Sequence, residues 1–154
     1  VDYMIVDLPP GTGDTQLTLS QKIPVSGAVI VTTPQDIALI DAQKGLAMFE
    51  KVNIPILGIV ENMSIHICSN CNHAEEIFGN GGGERMAATS NTKFLGALPL
   101  KLEIRTDVDE GTPSVAKDPE SKVSMMYQQI ARNVAATLSL QSESIGAFPK
   151  ITIE

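Results

Sequence analysis

The sequence has no tryptophan, and aromatic residues make up only 4% of its 154 residues, so any core must be built from aliphatic side chains. No apolar run approaches the roughly 20 residues that a helix needs to cross a bilayer. The first residues lack the basic start and the small-residue cleavage site of a secretory signal. Hydrophobic residues reach 43% and charged residues 19%, which indicates a globular domain. We therefore expect a cytoplasmic protein.

Basic residues are few, with 11 Lys and Arg against 18 Asp and Glu and a formal net charge of −7 at pH 7. A surface of this sign repels phosphate backbones and anionic lipids. The longest basic grouping, Lys93, Lys101 and Arg105, is too scattered to form a patch. The charge therefore disfavours nucleic acid and membranes as partners.

There are only two cysteines, Cys68 and Cys71, and they form a single C-x-x-C. A disulfide framework needs more cysteines and an oxidising compartment, so the pair indicates metal or redox chemistry. Two thiolates do not complete a tetrahedral metal site. His66 and His73 flank the pair, but four donors packed this closely make a tight geometry for one ion. A symmetric dimer would supply four cysteines, which suits a [4Fe–4S] cluster or zinc. A redox dithiol or an inert pair remains the alternative.

Apolar runs alternate with helical periodicity along the chain, which predicts an α/β domain with a mainly parallel sheet and crossover helices. Strands are predicted at residues 3–7, 28–32, 56–60 and 94–98. Helices are predicted at residues 14–22 and 36–52 and from about residue 84. In the last predicted helix, Asp118 is the expected cap and Pro119 lies in the first turn. Its apolar stripe is predicted at Val123, Met126, Tyr127, Ile130, Val134 and Leu138.

Residues 1–140 are predicted to form one unit, followed by a loose tail at 141–154. The excursion at about 61–92 holds the C-x-x-C and the glycine run at 79–83, and long loops in compact domains are usually functional. The acidic run at 107–110 is expected to be a solvated turn. Because residue 1 leads straight into an apolar run, we expect the chain to be part of a longer domain.

The strongest local motif is the run Asp7-Leu8-Pro9-Pro10-Gly11, which directly follows an apolar segment. In P-loop NTPases an Asp at the end of such a strand holds magnesium through water, and a Gly just beyond it brings a backbone N–H near the terminal phosphate. The Asp must then emerge at the C-terminal edge of the sheet. The alternative is an Asp and a Pro-Gly turn that merely end a strand.

From residue 2 to residue 14 the sequence resembles the switch II segment of the Mrp/ApbC family, within the MinD-like P-loop ATPases. The likeness continues through the runs Thr32-Thr33-Pro34-Gln35, Glu61-Asn62-Met63-Ser64, Cys68-Ser69-Asn70-Cys71, Ile77-Phe78-Gly79 and Gly96-Ala97-Leu98-Pro99-Leu100. The resemblance implies an iron–sulfur cluster carrier that transfers a [4Fe–4S] cluster to apo-proteins. It also implies that ATP and Mg²⁺ are bound and that ATP is slowly hydrolysed.

The resemblance also implies roles for single residues. Asp7 would be the acidic residue near magnesium, and Gly11 the switch glycine that senses the terminal phosphate. Asn62 would read the adenine, and the stretch that follows Pro99 would close over the base. The two cysteines would hold the cluster together with the same pair from the second subunit of a homodimer, and zinc could replace iron in the isolated protein.

One departure from the family concerns its phosphate loop, a segment of the type G-K-G-G-V-G-K-[ST], which has no counterpart in these 154 residues. The glycine run at 79–83 is followed by Glu84 and Arg85, so it cannot take that role. We therefore expect this chain alone to be inactive as an ATPase, through truncation or natural loss. One rival function is a zinc-stapled dimeric interaction module without catalysis. Another is a MinD-like positioning ATPase on membranes, which the acidic charge disfavours.

Overall fold

A parallel sheet of three strands lies at the centre of the protein in a computed structural model that describes residues 2–8, 18 and 22–145, with side chains up to 141. The strands are β1 (Ala28–Thr32), β2 (Ile56–Glu61) and a strand at Phe94–Ala97, with β2 in the middle. Five of the six residues of β2 are buried, as expected for a central parallel strand. The prediction of an α/β domain with a parallel sheet is confirmed.

Helices follow the strands along the chain, and a small antiparallel hairpin lies between them. The hairpin consists of β3 (His66–Ile67) and β4 (Ala74–Glu75), so the strand at Phe94–Ala97 is β5. The helices are α1 (Asp36–Lys51), α2 (Gly82–Thr89), α3 (Leu102–Asp109), α4 (Ser114–Lys117) and α5 (Lys122–Ile145). None of these described helices is long and apolar enough to cross a bilayer.

Both faces of the sheet are covered by helices. Ile59 and Val60 are consecutive on β2, so their side chains point to opposite faces. Ile59 belongs to a cluster that α1 and α2 complete, with Leu46, Phe49, Met86 and Ala87 among its buried members. Val60 belongs to a second cluster with Leu95 and Leu98, against which Tyr127, Ile130 and Val134 of α5 pack. Fully burying one such side chain contributes about 1.5–3 kcal/mol, so these clusters hold the layers together.

The apolar run at residues 3–7 does not form the predicted strand. Residues 2–8 have no regular secondary structure, and Met4 and Ile5 are 79% and 83% exposed. An extended run becomes a strand only when a neighbouring strand satisfies its backbone groups. In the described part of the chain no strand pairs with it, and the prediction was wrong there. The predicted helix at 14–22 falls almost wholly outside the described residues.

The start of α5 differs from the sequence prediction. The helix begins at Lys122, and Ser121 caps it, since its Oγ accepts the N–H of Ser124 at 3.1 Å. Asp118 lies one turn earlier, where its Oδ1 accepts the N–H of Glu120 at 3.2 Å. Asp and Ser are both good helix caps. Asp118 forms a turn with Glu120 instead, so the helix starts one turn later, after Ser121.

The end of α5 lies beyond the predicted start of the tail. The helix continues to Ile145, so residues 141–145 are helical, and residues 146–154 lie outside the described residues. Tyr127 and Val134 of the predicted stripe pack against the sheet, whereas Met126 is 40% exposed. The covered face is narrower than the apolar stripe: α5 packs on β5, on the central strand β2 and on α4, and Met126 lies outside that face.

The acidic run at 107–110 lies at the end of α3, and its last three residues are exposed as predicted, whereas Asp107 is only 7% exposed. Lys117 Nζ donates to Asp107 Oδ1 at 2.6 Å, and Ser114 Oγ donates to Oδ2 at 2.8 Å. The bond from Lys117, and to a smaller extent the bond from Ser114, hold the pKa of Asp107 below its ordinary value of 3.8. The prediction was wrong for Asp107 because its partners, seven and ten residues further on, are not recognised from local spacing.

Candidate functional site

Two predicted site residues, Asn62 and Pro99, lie just beyond the C-terminal ends of neighbouring strands. Asn62 follows β2 directly, and Pro99 follows β5 after Leu98. The Leu98 N–H donates to the Glu61 carbonyl at 2.8 Å, which joins the two strand ends. Ligands of open α/β sheets bind outside the carboxyl ends of the strands, so both residues lie where a nucleotide would be expected.

The Asn62 side chain is held by its own turn. The backbone N–H of Asn62 donates to the Thr32 carbonyl at 2.7 Å, which joins the end of β2 to the end of β1. Its Oδ1 accepts the N–H of Met63 at 2.9 Å, and Met63 has a φ of 54°. With the oxygen engaged, the amide NH₂ is the group that can donate to an acceptor on a base.

Asp7 is exposed in the irregular segment at residues 2–8. Among the described residues, no hydrogen bond or ion pair joins Asp7 to Asn62, Pro99 or the cysteines. Gly11 lies outside the described residues. The magnesium and phosphate roles of Asp7 and Gly11 therefore stay predictions.

Both cysteines lie in the loop between β3 and β4, here called the cysteine loop (residues 68–73). The Cys68 N–H donates to the His73 carbonyl at 3.0 Å, and the Asn72 N–H donates to the Cys68 carbonyl at 2.9 Å. These bonds close the loop into a tight turn. Cys68 is half-buried, Cys71 is exposed, and both are free thiols.

Backbone hydrogen bonds stabilise the Cys68 thiolate. Its sulfur accepts hydrogen bonds from the backbone N–H of Cys71 and of Asn70, and it also bonds with the Cys71 side chain. Bonds of this kind favour the charged form, so the pKa of Cys68 is lowered from its ordinary value of 9.0, against the opposing effects of burial and of Glu75. The thiolate is the form in which a cysteine binds metals or acts as a nucleophile, and the turn favours that form at Cys68.

His66 and His73 do not complete a four-donor site with the cysteines. Within the described ranges, no group of three or more Cys, His, Asp or Glu side chains is placed to hold a metal ion. His66 is half-buried, and its Nδ1 lies 3.2 Å from the Leu100 carbonyl oxygen. His66 thus serves the packing of the hairpin, and the cysteines are left as a pair.

The hairpin is tied to the segment that follows β5. The Leu100 N–H donates to the Ile65 carbonyl at 2.8 Å, and the Ile67 N–H donates to the Leu100 carbonyl at 3.3 Å. The N–H and Oγ of Ser64 both donate to the Leu98 carbonyl, at 2.9 and 3.0 Å. The cysteine loop and the sheet edge are therefore joined by backbone hydrogen bonds.

A second anchor, which the sequence reasoning missed, joins the end of β2 to the start of α2. Glu61 is only 3% exposed, and its Oε2 accepts the N–H of Gly83 at 2.6 Å. A Cβ at position 83 would lie 3.0 Å from the Glu61 Cβ, so the glycine lets the two segments approach. The sequence signal for this anchor is an acidic residue at the end of an apolar strand. Acidic side chains are rarely buried without a partner, so a buried Glu61 requires one.

A cleft of about 350 Å³ opens beside Cys68, between the cysteine loop and the N-terminus of α3. Its walls include Ile67, Cys68 and Asn72 on one side and Lys101, Leu102 and Thr106 on the other. Cys71 does not line it. Cys68 therefore lies beside a cleft, whereas Cys71 does not.

Comparisons with known sequences agree on one family. The family model described as ParA, NUBPL iron-transfer P-loop NTPase, matches residues 1–135. An iron-sulfur cluster carrier protein of Escherichia coli strain K12 is 61% identical over 145 residues, covering 94% of this chain and 39% of that protein. The iron-sulfur cluster transfer protein NUBPL of Mus musculus is 51% identical over 143 residues, covering 93% of this chain and 45% of that protein. The chain thus spans about two fifths of the length of the curated relatives it matches.

Solved structures support the same conclusion. A nucleotide-binding protein from Archaeoglobus fulgidus in complex with ADP has a TM-score of 0.66 at 35% identity, covering 79% of this chain and 49% of that one. The MinD cell division protein of Aquifex aeolicus has a TM-score of 0.65 at 20% identity, covering 88% of this chain and 53% of that one, which shows the fold alone. The family that the sequence predicts is confirmed. The chain belongs to the NUBPL iron-transfer P-loop NTPase family.

Proposed function

We propose that this chain carries iron–sulfur clusters, holding a [4Fe–4S] cluster as cargo and passing it to apo iron–sulfur proteins. The observation that carries the proposal is the cysteine loop, in which two free thiols share one tight turn and backbone N–H groups stabilise the Cys68 thiolate. The bacterial relative is named a cluster carrier and the mouse relative a cluster transfer protein, which supports this assignment.

We propose further that the cluster is shared by two copies of the chain. Cys68 and Cys71 supply half of the four thiolates that such a cluster requires. No third donor accompanies them in the described part of the chain. A two-fold axis through the cluster would bring in the same pair from the partner and complete the set. The exposed position of Cys71 leaves the loop accessible to a twin.

A nucleotide site at the sheet edge completes the proposal. Asn62 and the segment after Pro99 would contact the base, while Asp7 and Gly11 would lie on the magnesium and phosphate side. A solved relative at 35% identity was determined in complex with ADP, which supports this site. Bound ATP with Mg²⁺ would supply a phosphoryl group for hydrolysis. The lysine loop that hydrolysis needs does not occur in these 154 residues, so we propose that this chain alone is inactive as an ATPase. The cytoplasmic location stays a prediction.

Anaerobic reconstitution with iron and sulfide tests the carrier function. Iron, sulfide and zinc are measured in wild type, Cys68→Ala and Cys71→Ala, with Ser69→Ala as a matched control in the same loop. We expect about four irons per two chains and a cluster-dependent dimer for wild type and the control. Both cysteine variants should lose the cluster.

Two results would contradict the proposal. Tightly held zinc at one ion per two chains, with no uptake of iron, would identify a zinc-stapled interaction module instead. Full iron binding in the absence of both cysteines would show that other residues are the ligands.

A further inference from the structure

The cleft beside Cys68 has the size of a small binding site. Its volume of about 350 Å³ lies near the lower end of the range of roughly 300–1,000 Å³ for small-molecule pockets. This space accommodates a cysteine side chain with its flanking backbone but not a folded domain. Because Cys68 forms part of its wall and Cys71 does not, an occupant would contact only one of the two thiols.

The walls of the cleft favour an occupant that is anionic and partly apolar. Helix α3 begins at Leu102 with Lys101 at its N-cap, and the Lys101 side chain makes no capping hydrogen bond to it. The partial positive charge of this helix end favours an anion, while the ammonium of Lys101 is paired at 2.6 Å with Glu103, which also lines the cleft. Ile67 and Leu102 supply apolar surface. A thiolate combines negative charge with a polarizable body, and it is also what a cluster recipient presents.

We propose that this cleft admits the thiolate of a cluster recipient and that Cys68 is the ligand which that thiolate displaces first. The inference rests on the proposed carrier function. The incoming sulfur forms a bond to the iron that Cys68 holds, and the bond between that iron and Cys68 breaks. Cys68 leaves as a thiolate and takes a proton from solvent, which balances the proton that the recipient thiol released on ionising, and no electron is transferred. Cys71 keeps its iron until a later exchange.

Access to Cys68 through the cleft can be measured without any cluster. Thr106→Phe places a ring in the cleft, and among the described residues the Thr106 hydroxyl donates to the Leu102 and Glu103 carbonyls of its own helix. Val108→Phe is the matched control, since Val108 is 58% exposed on the same helix outside the cleft walls. Alkylation of each cysteine by iodoacetamide is followed in reduced, metal-free protein by mass spectrometry of its peptides.

We expect Thr106→Phe to slow alkylation of Cys68 about tenfold and to leave Cys71 within about twofold of wild type. Val108→Phe should change neither rate. Equal Cys68 rates in wild type and Thr106→Phe would overturn the cleft as the route. If thermal unfolding shows that Thr106→Phe is misfolded, Leu102→Trp fills the cleft from another wall position.

Transfer from the loaded protein then distinguishes the sources of the thiolate. One acceptor is free cysteine and the other is an apo-ferredoxin, each with wild type, Thr106→Phe and Val108→Phe. Slowing of the apo-ferredoxin reaction by Thr106→Phe, with or without slowing of free cysteine, supports the proposal, whereas slowing of free cysteine alone would overturn it. No slowing of either overturns the proposal. A wild type that takes up no cluster would refute the carrier function, while the alkylation rates still decide the role of the cleft.

The order of release has its own readout. A brief exposure of the loaded protein to acceptor, followed by a maleimide, labels the cysteine that is freed first. We expect label on Cys68 to exceed that on Cys71 by about fivefold at early times. Label that appears first on Cys71 would show that the exposed thiol leaves first, and the proposed order would be wrong.

Discussion

The anchor between Glu61 and Gly83 gives a quantitative stability prediction, because it is buried and one substitution removes it. Glu61→Ala deletes the acceptor of a 2.6 Å hydrogen bond and leaves the Gly83 N–H buried without a partner. A hydrogen bond to a charged group contributes about 1.5–3 kcal/mol, and an unsatisfied buried donor costs about 1–3 kcal/mol. Burying the carboxylate itself costs free energy, which offsets part of this gain. We expect a net loss of about 2 kcal/mol in the free energy of unfolding.

Glu61→Gln separates the charge from the hydrogen bond. The amide oxygen can still accept from Gly83, so the expected loss is only about 1 kcal/mol. Each kcal/mol lowers Tm by about 2–4 °C in a domain of this size, which puts the Ala variant about 4–8 °C below wild type. Urea unfolding followed by circular dichroism gives the free energies, and calorimetry gives Tm. Glu50→Ala, at an exposed position in α1, is the control and should stay within about 0.5 kcal/mol of wild type.

Two outcomes would refute this reasoning at different steps. A Glu61→Ala protein that unfolds within about 0.5 kcal/mol of wild type would show that desolvation of the carboxylate cancels the hydrogen bond. Equal losses in Glu61→Ala and Glu61→Gln would show that the amide oxygen does not replace the carboxylate as acceptor of the Gly83 N–H.

Three further substitutions test other contacts of the fold. Because the pKa of Asp107 is lower in the folded protein than in the unfolded chain, its ion pair with Lys117 stabilises fully above the ordinary value of 3.8 and is lost as pH falls toward the folded pKa. Asp107→Asn should therefore lower the free energy of unfolding at pH 7 and weaken its decrease toward acidic pH. Urea titrations at several pH values measure both, and a pH dependence equal to that of wild type would contradict this. Gly58→Ala should cost about 3 kcal/mol or more, since Gly58 has a φ of 153° and a Cβ there would lie 2.6 Å from the Lys93 carbonyl oxygen; wild-type stability in urea would be unexpected. His66→Ala should lower the local stability of the hairpin by about 1 kcal/mol, because it removes the bond to Leu100. Amide exchange in the hairpin should then be faster than in wild type, while exchange in α5 stays the same.

The sheet could be predicted from sequence because its signals are local. In β2, apolar residues on both faces indicate a strand covered on both sides, and Ile59 and Val60 do pack into opposite clusters. The periodicity at 36–52 likewise predicted α1, which spans Asp36–Lys51. Such patterns depend only on neighbours in the chain, so a single sequence suffices.

The contacts that failed prediction depend on partners far along the chain. The run at 3–7 has the composition of a strand, but whether it forms one depends on a neighbour, and the described residues provide none. Asp107 is buried because Ser114 and Lys117 bind it, which no local pattern shows. The C-x-x-C was visible at once, whereas the cleft next to Cys68 depends on where α3 lies and appears only in the structure.

The cysteine loop is positioned by hydrogen bonds to the segment that follows β5 rather than by contacts within the loop. β3 and β4 are two residues each, too short to be stable alone, so the hairpin depends on the residues that hold its base. Leu100, three residues beyond β5, bonds to Ile65 and Ile67 at that base, and the Glu61 carbonyl at the end of β2 accepts the N–H of Leu98. Asn62 follows Glu61 directly, at the position where the base of a nucleotide is proposed to bind. We therefore predict that ADP bound at Asn62 slows amide exchange in the hairpin through these hydrogen bonds, and unchanged exchange with ADP present would contradict this.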